Sequence, residues 1–188
     1  LTNSITIGRL GKEATASAYV GTLIFTVLQM LITGVESGMT VASSRSWGER
    51  DREKIRKITS FGTCVIFSLG IIATVFSLFF PQVFISLFLR GGLSSVAAVY
   101  LRLVSVSFPF FCLSGALGVA LKSVESPKIA AIASTSAFLI NLDLNYVLVF
   151  GKIGFPALGI KGSAIATIVA RIAELAILLL YVFAIDKK

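Results

Sequence analysis

The chain has 188 residues, only 14% of them charged, and a mean hydropathy of +0.94. Soluble chains carry roughly 25% charged residues, so there is too little polar surface here to cover a globule, and lipid is the expected solvent. The absence of His removes imidazole bases, His ligands and Ser-His-Asp triads together, and the net charge of +8 is not gathered into the single basic stripe that nucleic acid would need.

The expected fold is all-α and membrane-embedded. Residues 1–7 form a short apolar stub before the turn-like Gly8-Arg9-Leu10-Gly11, and they read as the end of a helix. With no initiating Met, the chain reads as a piece of a longer protein, cut at both ends. Five apolar runs follow, at 14–44, 59–80, 96–121, 129–150 and 163–185. Each offers the roughly 20 helical residues needed to cross a bilayer. Leu, Ile, Val and Phe recur in them without the strict alternation of barrel strands.

The first full run carries Glu36 between Gly34 and Gly38, a small-xxx-small face that lets helices approach closely. Its carboxylate either lines a water-filled inner vestibule or caps a helix break. Trp47 then stands beside the charged segment 49–57, as an aromatic at a membrane interface does. Pro81 ends the second run, and the stretch 83–89 is too short to cross and is expected in the interface. In the third run Arg102 lies close enough to the outer end to snorkel. Pro109, mid-run among Phe108, Phe110 and Phe111, frees a backbone carbonyl and predicts a kink, with aromatic rings able to stack on a flat cation. Cys64 and Cys112 lie inside apolar runs and make neither a zinc spacing nor a disulfide framework.

Ser126-Pro127 reads as an N-cap followed by Pro at the first helical position. Asn141 and Asn145 are one turn apart on one face, while Asp143 falls about 200° round the helix from Asn141. They either glue helices together or form a polar pocket for a cation or proton. Residues 151–162, with four Gly and Pro156, form a turn. Beyond it Arg171 and Glu174 are one turn apart inside the last run. Counted back from the outer ends, Asp143 is about 10 Å deep and Arg171 about 12 Å. An Asp143–Arg171–Glu174 network is therefore expected, either fastening two helices or serving function.

Lys and Arg set the orientation. Counted over alternate loops, one side holds ten of them, including Arg45 and the 50–57 cluster, and the other holds five. The larger group places the 45–57 loop in the cytoplasm.

The order of these features resembles a known family. Ile7-Gly8-Arg9-Leu10-Gly11, Ser43-Ser44-Arg45-Ser46-Trp47-Gly48 leading into Asp51-Arg52-Glu53-Lys54, and Asn141-Leu142-Asp143-Leu144-Asn145-Tyr146 are similar to segments of the MATE (multidrug and toxin extrusion) transporters. Phe155-Pro156-Ala157-Leu158-Gly159-Ile160-Lys161-Gly162-Ser163-Ala164 is similar to another, and Arg171-Ile172-Ala173-Glu174 resembles the bacterial DNA-damage-inducible branch.

The resemblance implies twelve helices in two six-helix lobes, of which residues 1–188 would form the N-terminal lobe, with its first helix truncated and the C-terminal lobe missing. It implies a multi-pass protein of the cell membrane that exports cationic or amphipathic organic compounds in exchange for H+ or Na+ by alternating access, with no cofactor. Its partners would be the bilayer, the organic cation and the C-terminal lobe, and not nucleic acid. By position, the coupling residues would be Asn3, Asn141 and Asn145 with a hydroxyl from Ser163 or Thr167, and a Na+ would sit at Asn141 and Asn145. Asn3 and Asn145 stand where the family usually has acids, so either Asp143 takes that role from a neighbouring position, or coupling lies in the other lobe, or it is lost. Two alternatives are a flippase for lipid-linked saccharides, which would need a strongly cationic cavity, and a non-transporting membrane half-protein. An enzyme is the weakest reading, because no nucleophile–base pair is visible.

Overall fold

The structure is a computed structural model that describes residues 12–88, 95–123, 127–151 and 156–185, and every described element is a helix. In chain order these are α1 (Lys12–Gly48), α2 (Arg52–Phe79), α3 (Pro81–Phe88), α4 (Ser95–Ser105), α5 (Phe108–Ser123), α6 (Pro127–Phe150) and α7 (Ile160–Ile185). Four of them contain spans long and apolar enough to cross a membrane, within α1, α2, α6 and α7. The bent pair α4–α5 makes a fifth when it is taken as one span. Asn3, the 8–11 turn and the expected N-cap Ser126 lie outside the described residues.

Lipid as solvent explains what the surface looks like. Phe61 is 74% exposed, Leu180 71% and Met30 70%, and such side chains ring the bundle. In water this would be an aggregating patch; against acyl chains it is the expected face. Many hydroxyls within the spans are quenched by their own helix. Along α1, Thr26, Thr33, Ser37, Thr40 and Ser44 each donate to the carbonyl four residues earlier, at 2.7–2.9 Å.

The ends of α1 and α2 follow local chemistry. Asp51 N donates to Ser46 O and Arg50 N to Trp47 O, with Arg50 at φ +57°. That is a Schellman closure, taken here by Arg50 in the left-handed position that glycine usually fills. Asp51 then caps α2, its side chain accepting from Lys54 N at 2.9 Å.

The core joins α1, α4 and α5. Val20, Ile24, Leu28 and Ile32 of α1 pack in one buried cluster with Tyr100, Leu101, Phe108 and Cys112. Close approach is provided by glycine. A Cβ on Gly21 would fall 2.6 Å from the Tyr100 ring, and one on Gly70 of α2 would fall 2.6 Å from Cys112 Sγ. The most extensive pairing is α6 against α7. There a Cβ on Gly162 would meet the backbone carbonyl of Leu148 at 2.7 Å.

The α4–α5 span bends by 41° across Val106 and Ser107. Pro109 has no N–H, so the carbonyl of Ser105, four residues back, loses its helical partner. Thr74 of α2 supplies one. Its hydroxyl is shared between Gly70 O at 2.8 Å and Ser105 O at 3.0 Å. Thr74→Val keeps the shape and removes the donor, so it should destabilise the fold by about 1–2 kcal/mol. SDS-induced unfolding of the detergent-solubilised protein reads this directly, and an unchanged midpoint would show that the bend does not depend on Thr74.

Candidate functional site

Between α1, α4, α5, α6 and α7 lies a cavity of about 910 Å³. Its walls are laid down by helical periodicity. On α1 the lining positions include Thr22, Phe25, Gln29, Thr33 and Glu36; on α5 they include Phe111, Gly115, Gly118 and Lys122. On α6 they include Ala130, Ser134, Ala137 and Asn141; on α7, Thr167, Arg171, Glu174 and Leu178. Each series steps by three or four residues, the repeat that keeps side chains on one helical face. Four small or polar stripes thus converge inside an apolar bundle.

At the centre is a closed polar unit. Arg171 Nη1 donates to Glu174 Oε2 at 2.7 Å, and Ser134 Oγ donates to Glu174 Oε1 at 2.9 Å. The guanidinium carbon lies 4.7 Å from the Phe111 ring centroid and 5.9 Å from that of Phe25. Those two rings pack against each other at 4.8 Å. Each Glu174 oxygen therefore has a donor, while Arg171 gains a charge partner and aromatic faces. An unpaired charge here would be costly, and this arrangement avoids one.

The expected three-membered network is in fact a pair. Asp143 is exposed, lies outside the cavity lining and forms no ion pair with Arg171. The depth arithmetic put the two at one level, but the Asn141–Thr167 and Ser134–Glu174 bonds set a register in which Asp143 lies opposite Ile165 and Arg171 opposite Ala137, about 9 Å apart along the axis. Asn141 faces α7, as its bond to Thr167 requires, so Asp143 some 200° away points elsewhere.

The remaining sequence candidates divide. Asn141 and Thr167 both line the cavity, with Asn141 Nδ2 donating to Thr167 Oγ1 at 3.4 Å and Thr167 Oγ1 donating to Ser163 O at 3.0 Å. Asn145 and Ser163 are fully buried and outside the lining. Of the two asparagines expected to hold a Na+, Asn141 lines the cavity and Asn145, one turn away, is buried. Glu36 lines the cavity, whereas Pro109 acts behind it through the bend. Among the described residues no three His, Cys, Asp or Glu side chains gather in a metal-binding group.

Sequence reasoning passed over Ser134, Phe25, Gly115 and Lys122 as wall residues. A signal was present in the small and polar stripes on α1, α5, α6 and α7. Taken helix by helix each stripe is ordinary, and only their convergence gives it meaning.

Comparison with known proteins adds the following. The MatE family pattern matches residues 1–147. A probable multidrug resistance protein NorM from Thermotoga maritima is 27% identical over 187 residues, covering 94% of this chain and 38% of that protein. Probable multidrug resistance protein YoeA from Bacillus subtilis is 28% identical over 183 residues, covering 96% and 40%. The crystal structure of a MATE in the bent conformation superposes with a TM-score of 0.87 at 20% identity, over 100% of this chain and 41% of that one. That likeness is one of fold. The chain spans about two fifths of the length of the relatives it matches.

Proposed function

The chain belongs to the MatE family, and from that premise we propose that it forms one helical lobe of a membrane transporter that exports cationic or amphipathic organic compounds in exchange for H+ or Na+. The observation that carries the reading is a cavity with charged and hydrogen-bonding groups in its walls, set among helices whose outer faces suit only lipid. A membrane protein has no structural need for such a space, because apolar side chains would fill it at lower cost. A ligand pathway gives it a purpose. The names of the relatives, multidrug resistance proteins, support the same direction.

The walls suit amphipathic organic compounds. Phe25, Phe111 and Phe138 supply aromatic surface, and Gln29, Asn141 and Thr167 supply hydrogen-bonding groups around it. The charges in the walls balance when Glu36 is ionised, Glu36 and Glu174 against Lys122 and Arg171, and sum to only +1 when it is protonated. This speaks against a carrier of polyanionic lipid-linked sugars, which would call for a cationic cavity. Exchange requires that ion and substrate each favour opposite access states, since equal affinity for both couples nothing. Transport, rather than catalysis, is the use proposed for the cavity.

The test is efflux of a fluorescent cationic dye from cells producing the complete protein, with proton and sodium gradients collapsed separately. Efflux that fails when one gradient is removed identifies antiport and names the ion. A protein that reaches the membrane yet shows no gradient-dependent efflux would overturn the proposal.

A further inference from the structure

We propose that Glu36 is the ion-exchanging carboxylate of this cavity: protonated when the cavity is empty, and ionised when it holds an organic cation. The inference rests on the transport reading above and deepens it by moving the titratable role away from Asp143.

Elimination among the acids carries the first half of the argument. Apart from Glu53, in the first turn of α2 and paired with Lys57, the acidic residues inside the described spans are Glu36, Asp143 and Glu174. Asp143 is exposed and not part of the cavity wall. Glu174 has both oxygens engaged, by Arg171 and by Ser134. Glu36 lines the cavity, is half-buried, and forms no ion pair within 4 Å among the described residues.

The second half is local fit. A Cβ on Gly115 of α5 would fall directly on Glu36 Oε1, so the absence of a side chain there makes the notch that receives the carboxylate. Gly118, one turn along, also lines the wall and leaves the space beside it open. Glu36 is three turns along α1 from Phe25, about 16 Å. An ammonium at Glu36 can therefore trail its aromatic part toward the Phe25–Phe111 rings.

The charged and titratable groups facing Glu36 are Lys122 and the buried thiol of Cys112 on α5 and the Arg171–Glu174 pair of α7, while α6 offers the neutral Ser134. Lys122 is two turns from Gly115 along α5, about 10 Å toward the helix end. The pair on α7 is internally neutral. Lys122 acts on Glu36 through its charge at a distance, and neither group forms an ion pair with it, so that place is open to an arriving cation or a proton. The exchange is balanced: the carboxylic acid of Glu36 releases its proton to cavity water as the cation takes its place, and the reverse step returns it.

The experiment is equilibrium binding of tetraphenylphosphonium to the complete, detergent-purified protein at pH 6 and pH 8, with proton release followed in weak buffer. Binding should tighten as pH rises and should release a proton. Glu36→Gln should weaken binding about tenfold at pH 8, the loss of one charge-assisted contact, and should abolish both pH dependence and proton release. Glu36→Asp should keep both, which separates a charge role from a folding role. Wild-type affinity and pH dependence in Glu36→Gln, or their loss in Asp143→Asn instead, would overturn the proposal. A wild-type protein that effluxes dye but binds this cation without pH dependence would also overturn it while leaving transport standing. The expected binding pattern without any efflux would uphold Glu36 and reject transport.

Discussion

Glu174→Ala should be among the most damaging single substitutions in this chain, costing about 3 kcal/mol of stability in SDS-induced unfolding. Removing the carboxylate leaves Arg171 charged inside the bundle, held only by the rings of Phe111 and Phe25, and leaves Ser134 without its acceptor. Breaking a buried pair from one side typically costs 3–5 kcal/mol. The Arg171 side chain keeps 28% of its exposure, which places this case at the lower end. Replacing both partners by apolar residues of similar volume, Arg171→Met with Glu174→Leu, should recover most of the loss, because no uncompensated charge then remains. The double variant also decides between the two roles left open for this pair. Recovered stability with normal efflux makes it a fastening; recovered stability without efflux makes it part of transport. A single variant as stable as wild type would contradict the geometry of the pair.

Gly151→Ala should be of similar size for an unrelated reason. Gly151 ends α6 at φ +66°, where an L side chain costs roughly 1–2 kcal/mol. A Cβ there would also fall 2.6 Å from Ala157 N and 2.9 Å from its Cα. Both are backbone or near-backbone atoms of the returning chain, so no side-chain rotation relieves the contact. The same turn is tied by Leu158 N donating to Leu148 O at 3.0 Å. A shift at Gly151 therefore pulls on the α6–α7 hairpin that carries Asn141, Thr167 and the Arg171–Glu174 pair. Together the strain and the overlap should cost about 3 kcal/mol, with a lowered SDS midpoint as the readout. Gly118→Ala is the natural comparison, because the nearest atom to its added Cβ is 4.0 Å away. Equal behaviour of the two variants would mean that the turn is not under this constraint.

Much of the architecture was readable before any coordinates. Apolar runs separated by charged or Gly/Pro-rich segments locate helices that must satisfy their own backbone in lipid, and Pro109 implied a bend from its missing N–H alone. The turn-forming composition of residues 151–162 was visible too, though not that Gly151 and Gly159 take left-handed positions. Asn141 and Thr167 were legible as site candidates through family resemblance and depth.

Other features depended on rotation and register, which a one-dimensional pattern does not contain. Counting from the helix ends places Asp143 and Arg171 at one level, yet the α6–α7 register sets them about 9 Å apart along the axis, because packing slides each helix against its neighbour as well as turning it. Glu36 could be placed in the inner half of its helix, but not opposite Gly115, a choice made by how α1 and α5 approach. The partner of the freed Ser105 carbonyl, Thr74, lies 31 residues away and comes from another helix. The sequence by itself determined which segments enter the membrane, because transfer to lipid acts on each segment's composition and is nearly additive along the chain. Only the tertiary structure decided which polar groups face one another, because that follows from the close packing of helix faces, where a turn of 100° per residue separates a partner from a stranger.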